Sequence, residues 1–177
     1  VTSTVELSFT IRSARLEELE ALAEIELDAN LSLVEAGVPS DTGPVTTERS
    51  LLEQCLSDRL LFVAAVSTDR PIGFLAAAEQ DGALYIGEID VARMWQRRGV
   101  GRTLIRHAIA QARSRGLWGA MLTTDRYVPF NAPFYASCGF REVSQDAIPP
   151  SLALILKSEI EHGSDPMRRV AMVLRFE

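Results

Sequence analysis

The period of apolar and polar positions changes several times along the chain, and each change marks an element. Val5, Leu7, Phe9 and Ile11 recur at every second residue, which predicts an opening strand, Val5–Ile11. From Leu16 to Leu33 the spacing becomes helical: Leu16, Leu19, Leu22, Ala23 and Leu27 form one stripe and glutamates occupy the other side. Ala36–Thr46, broken by Gly37, Pro39, Gly43 and Pro44, reads as a loop. Thr46 or Thr47 then reads as the cap of a second helix running to about Asp58. Three strands follow, Leu60–Val66, Ile72–Ala78 and Ala83–Ala92, with turn signals between them at Asp69-Arg70-Pro71 and Gln80-Asp81-Gly82.

Helical spacing returns over Val100–Arg115, with Val100, Leu104, Ile105, Ala108, Ile109 and Ala112 inward, arginines outward and Gly116 as the stop. Trp118–Thr124 is a strand, Asn131–Ser137 a short helix ended by Gly139, and Phe140–Val143 a strand. Pro149-Pro150 opens a helix, Ser151–His162, and Arg168–Phe176 is a closing strand. Hairpins early and a strand–helix–strand crossover later predict a mixed sheet with helices on both faces.

Composition bounds this picture without redrawing it. A chain of 177 residues, 47% of them apolar, is expected to be one domain, 1–177, with an ordinary core. No apolar run approaches the roughly 20 residues that span a bilayer. The first residues lack a basic stretch followed by an apolar one, so no secretory signal and a cytoplasmic protein are expected. Cys55 and Cys138 read as reduced thiols; with His107 and His162 they make no metal-ligand spacing, so no metal is expected. His162 falls where a helix ends, and His107 on a helix flank.

Charge does change the picture. The net charge is −6, yet Arg93, Arg97, Arg98, Arg102, Arg106, Arg113 and Arg115 follow one another with no Asp or Glu between Arg93 and Arg115. A basic stretch inside an acidic chain points to one anionic ligand rather than to nucleic acid. Within it, Gln96-Arg97-Arg98-Gly99-Val100-Gly101 joins a strand to a helix. Two glycines let the backbone turn tightly, and the helix start adds unpaired N–H groups and a positive dipole end. That combination suits a pyrophosphate. Arg97, Arg98 and Arg102 flank the glycines and read as ligand-facing; Arg106, Arg113 and Arg115 read as solvated helix.

The strand, the Gln96–Gly101 run and the helix resemble the Q/R-x-x-G-x-G/A signature of the GNAT N-acetyltransferase superfamily. Glu88-Ile89-Asp90-Val91 resembles the acidic end of that family's fourth strand, and Asn131 to Phe140 its N-x-x-x-Y-x-x-x-G-F motif. Arg93 departs from the proline common there, at a position where the backbone carries the role. The resemblance implies an α/β (α+β) fold: a mixed, twisted central sheet of about six or seven strands, helices on both faces, and the fourth and fifth strands splayed to admit acetyl-CoA.

It further implies a cosubstrate site built from Val91 and Arg93 backbone groups, the N–H groups from Arg98 through Gly99, Val100, Gly101 and Arg102 to Thr103, the side chains of Arg97, Arg98 or Arg102, and Asn131. Asn131 also reads as a helix cap. Glu88, then Asp90, is the implied base; the two share a strand parity. Tyr135 is the implied acid that protonates the departing thiolate. The Val91 N–H suits the oxyanion. Phe134 and Phe140 read as core, while Met94 and Trp95 read as loop anchors or acceptor contacts.

The implied partner is a small-molecule or peptide amine, with no nucleic acid and no membrane. Many relatives form homodimers, and no interface is read from the sequence. A dinucleotide-binding oxidoreductase is disfavoured because Leu104 stands where the third glycine belongs. A non-catalytic acyl-CoA sensor on the same fold is disfavoured because Glu88, Asp90 and Tyr135 are all present. A tRNA-acetylating member is disfavoured by the net charge.

Overall fold

The computed structural model describes residues 8–37 and 46–177. Val5–Leu7 of the expected first strand and the middle of the expected Ala36–Thr46 loop lie outside them. The strands are β1 (Phe9–Ser13), β2 (Leu61–Val66), β3 (Pro71–Gln80), β4 (Ala83–Val91), β5 (Gly119–Asp125), β6 (Arg141–Glu142) and β7 (Arg169–Arg175). The helices are α1 (Leu19–Glu35), α2 (Arg49–Ser57), α3 (Val100–Ser114), α4 (Ala132–Ser137) and α5 (Pro150–Glu161). Short 3-10 turns at Leu16–Glu18, Arg93–Trp95 and Gln145–Ala147 are additions to the elements read from sequence.

One sheet of order β1-β2-β3-β4-β5-β7-β6 organises the chain, with only β4 and β5 running parallel. The amphipathic helix α3 lays Val100, Leu104, Ile105, Ala108 and Ala112 on one face, against Phe62, Ile72, Leu75, Leu84 and Ile86. Ile109, expected inward, keeps partial exposure at the edge of this core. On the opposite face α1 and α2 bury Leu19, Leu22, Ile25 and Leu52 against Leu61, Val63, Phe74 and Ala76. Leu152 of α5 joins Ala83, Met121, Ala171 and Val173.

A bulge in β4 positions the site. Ala77 pairs with Ile86 but Ala76 pairs with Glu88, so Gly87 is the extra residue. One inserted residue reverses the alternation of side chains beyond it. Leu84 and Ile86 face α3 before the bulge; Ile89 and Val91 face it afterwards. Glu88 and Asp90 therefore stand opposite Ala76 and Phe74, on the α1 face. Without the bulge the two carboxylates would point into the apolar core beneath α3.

The expected cap of α2 is not made by a threonine. Its N-cap is Glu48, with no side-chain cap bond. The N–H and hydroxyl of Thr47 donate instead to Glu26 on α1. At α5, by contrast, His162 is the C-cap, with Nδ1 2.7 Å from the Ser158 carbonyl oxygen. His107 packs edge-on against Phe62.

Candidate active site

β4 and β5 pair only at Leu84–Ala120 and Tyr85–Met121 and then part. A cleft of about 1490 Å³ opens between them, lined by Ile86 to Val91 on one side and Thr123 and Thr124 on the other. The Ala92 N–H donates to the Ile72 carbonyl of β3. Because backbone groups alternate sides along a strand, those of Ile89 and Val91 point into the gap. Two of them are already engaged: the Val91 carbonyl accepts from Gln96 Nε2 at 3.0 Å, and the Ile89 N–H donates to Glu88 Oε1 at 3.3 Å; the Arg93 N–H, expected to meet the cosubstrate, donates to Asp28 Oδ2 at 2.7 Å. The Val91 N–H has no partner among the described residues.

At one end of the cleft lies the Gln96–Gly101 turn. Arg97 (φ 59°) and Gly99 (φ 83°) both adopt the left-handed conformation, and Gly99 is the N-cap of α3. A Cβ on Gly99 would meet nothing within 4 Å. The first helical N–H groups, on Val100, Gly101 and Arg102, have no intrahelical acceptor. The Thr103 N–H and hydroxyl both donate to the Gly99 carbonyl, so Thr103 drops out of the expected set of free donors. Arg97, Gly99, Val100, Gly101 and Arg102 line the cleft.

Arg102 is not free to swing toward an anion. Its guanidinium donates to the Ser137 carbonyl and hydroxyl at 2.9 and 2.8 Å, tying α3 to α4. Arg98 lies over the Trp95 ring. Arg93 pairs with Glu35, and Arg115, read as solvated, pairs with Glu79.

Glu88 and Asp90 form the floor of the cleft, and a third carboxylate, Glu26 of α1, lies buried beside them; one oxygen from each lies within 4.8 Å of the others. Burial raises the proton affinity of both Glu88 and Asp90. Glu26 adds to it for Glu88, and Glu88 and then Glu26 for Asp90. The Glu26 carboxyl is itself raised by burial, against the opposing Thr47 bonds. Asp90 Oδ2 is buried without a hydrogen-bond partner among the described residues, a cost that is smaller for a neutral carboxyl than for a charged one.

Tyr135 lines the cleft and packs against Phe134 and Phe140. Burial, then Glu88 and Asp90, push its phenol well above the usual range, so it stays protonated. Asn131 occupies the N-cap position of α4 but makes no side-chain cap bond, and its amide lines the cleft. Across the gap, Arg169 of β7 forms two bonds to Glu159, at 2.8 and 2.7 Å, and a third to Thr123 Oγ1 at 3.1 Å.

Residues 19–140 match the family model described as Acetyltransferase (GNAT) family. The chain belongs to that family. It is an acetyl-CoA-dependent N-acetyltransferase with acetyl-CoA as cosubstrate. Its structure is similar to the ribosomal-protein-S18-alanine N-acetyltransferase from Escherichia coli, with a TM-score of 0.67 and 20% identity over 95% of this chain and 94% of that one. A GNAT-family acetyltransferase from Staphylococcus aureus Mu50 matches at a TM-score of 0.70 and 16% identity, over 95% and 100%. The PaiA N-acetyltransferase from Thermoplasma acidophilum, solved with coenzyme A, matches at 0.65 and 16%, over 96% and 100%. At such identities the likeness is one of fold.

In this acetyltransferase the sequence-read residues Glu88, Asp90, Val91, Arg93, Arg97, Gly99, Val100, Gly101, Arg102, Asn131 and Tyr135 all line one cleft. Arg98 and Thr103 do not. Trp95 and Met94 part company: Trp95 packs on the α3 core, while Met94 stands 82% exposed at the rim. Glu26, Asp28 and Arg169 were not found from sequence. Glu26 lay within a helix rich in glutamates, and only its burial among apolar neighbours distinguishes it. No helix among the described residues is long and apolar enough to cross a membrane.

Proposed function

We propose that this cytoplasmic, single-domain acetyltransferase transfers the acetyl group directly to a primary amine, with both substrates bound at once. The observation that carries the reading is the continuity of one cleft, from the bare N–H groups at the start of α3 to the carboxylates and phenol beside the β4–β5 gap. The diphosphate of acetyl-CoA suits the Val100, Gly101 and Arg102 N–H groups, and Arg97, which has no ion-pair partner among the described residues, lines the same cleft and suits a charge-assisted bond. Asn131, whose amide makes no cap bond, lines the same cleft. The thioester carbonyl suits the unpaired Val91 N–H, which would stabilise the oxyanion.

An alkylammonium, with a pKa near 10.4, must lose a proton before it attacks. Glu88 with Asp90 takes it; their raised proton affinity brings the pair closer to the range where a base is effective. The amine nitrogen bonds to the carbonyl carbon, the C–S bond breaks, and the thiolate leaves. Tyr135 protonates the thiolate and recovers a proton from the attacking nitrogen. One ammonium and one thioester thus give one amide, one thiol and one released proton. We assign the carboxylates to proton handling, because burial and mutual repulsion hold the Glu88 and Asp90 carboxyls toward their neutral forms.

The acceptor approaches from the α1 side, where Asp28 and the carboxylate floor favour a cation. The net charge of −6 disfavours a nucleic-acid or anionic-membrane partner. A panel of small amines and peptide N-termini with acetyl-CoA, read by free thiol release, tests the reading. Turnover on at least one amine is expected. Tight coenzyme A binding without turnover on any would favour an acyl-CoA sensor.

A further inference from the structure

The reaction as proposed uses Glu88 and Asp90 but gives no role to the third carboxylate beside them. Glu26 is 4% exposed, next to Ile25 on the buried side of α1. Burying a carboxylate is costly unless its charge is compensated. Its oxygens accept from the Thr47 N–H at 2.8 and 3.0 Å and from the Thr47 hydroxyl at 3.0 Å. Those donors are neutral, and no ion pair within 4.0 Å includes Glu26, Glu88 or Asp90 among the described residues. A glutamine could hold Thr47 equally well, its oxygen accepting the N–H and its amide donating to the hydroxyl. The clamp therefore does not require a charge, yet a group able to carry one lies within 4.8 Å of the floor.

We propose that Glu26 is a positioning residue for acetyl transfer: clamped by Thr47, its carboxylate is held against Glu88 and Asp90 so that the three keep one base ready for the incoming ammonium. The bulge at Gly87 brings the pair to the α1 face, and the Thr47 clamp brings Glu26 to the pair. An ionised Glu26 makes a neighbouring carboxylate hold its proton more tightly, which strengthens it as a base. The same charge attracts the cationic acceptor. Other groups facing the pair are Tyr135 from α4, Arg169 from β7 with its partner Glu159 from α5, and Tyr85 earlier on β4. Arg169 opposes Glu26, since its positive charge favours ionised Glu88.

This inference rests on the proposed base, and Glu26→Gln tests it separately. The measurement is the pH profile of kcat, by thiol release from acetyl-CoA with the best amine of the panel. The acidic limb should move to lower pH by about one unit, with KM for acetyl-CoA within about two-fold of the native enzyme and thermal stability retained. A limb that coincides with that of the native enzyme overturns the proposal and leaves Glu26 a structural clamp. Should Glu26→Gln not fold, Glu26→Met decides, because it is similar in size and removes the charge: an acidic limb moved to lower pH supports the proposal, and no shift overturns it. Native enzyme inert toward every amine would instead reject the proposed function itself.

Discussion

Gly99→Val is the substitution that most directly probes the turn. Gly99 sits at φ 83°, where an L-residue clashes with its own carbonyl. The cost is about 2 kcal/mol, and a β-branched residue sits at the upper end. For a chain of this length each kcal/mol lowers Tm by roughly 2–4 °C, so a fall of about 4–8 °C is expected. No atom lies within 4 Å of the new Cβ, so strain and not overpacking sets that figure. The isopropyl group would instead project beside the bare N–H groups of α3. Acetyl-CoA affinity, measured by calorimetry well below the new Tm, should fall at least about tenfold, or 1.4 kcal/mol. Gly101→Ala is the contrast. Its Cβ would sit 3.5 Å from Phe134 Cζ and 3.8 Å from Val91 Cγ2, ordinary contacts, and alanine is the better helix former by about 1 kcal/mol. Stability should hold or rise, with binding close to native. A Gly99→Val protein that binds acetyl-CoA as tightly as native would show that the diphosphate does not rest on this turn.

Three further outcomes follow from the same geometry. Tyr135→Phe should lower kcat about a hundredfold with acetyl-CoA affinity unchanged; native kcat would remove the phenol from the proton path. The raised Glu88 and Asp90 carboxyls hold protons in the folded chain at a pH where the unfolded chain has lost them. Stability therefore falls as pH rises from about 4 to about 9, and Asp90→Asn should raise Tm more at pH 8 than at pH 5 and reduce turnover; equal Tm changes at both values would refute the linkage. Glu159→Ala strands the Arg169 guanidinium, whose side chain is 28% exposed, and should cost about 3 kcal/mol in denaturant unfolding. A loss under about 1 kcal/mol would mean that Arg169 finds water instead.

Much of this protein is legible in its sequence because the signals are local. The turn signal before Ala83–Ala92, the helical stripe of α3 and the glycines of the turn are each set within a few residues of chain, and their elements appear within a residue or two of the expected bounds. The shared parity of Glu88 and Asp90 was legible too. Which sheet face they occupy was not: Gly87 bulges only because β3 and β4 pair in a particular register, and pairing is a property of two strands. Likewise Arg102 carries the same charge as Arg97 in the sequence, but the approach of α4 commits it to Ser137. Glu26 lies more than sixty residues from Glu88, and only the packing of α1 onto the sheet makes them neighbours. Local backbone chemistry thus determined the elements and the anion-binding turn. The tertiary structure decided which carboxylates share protons, because electrostatic coupling depends on distance and burial rather than on order along the chain.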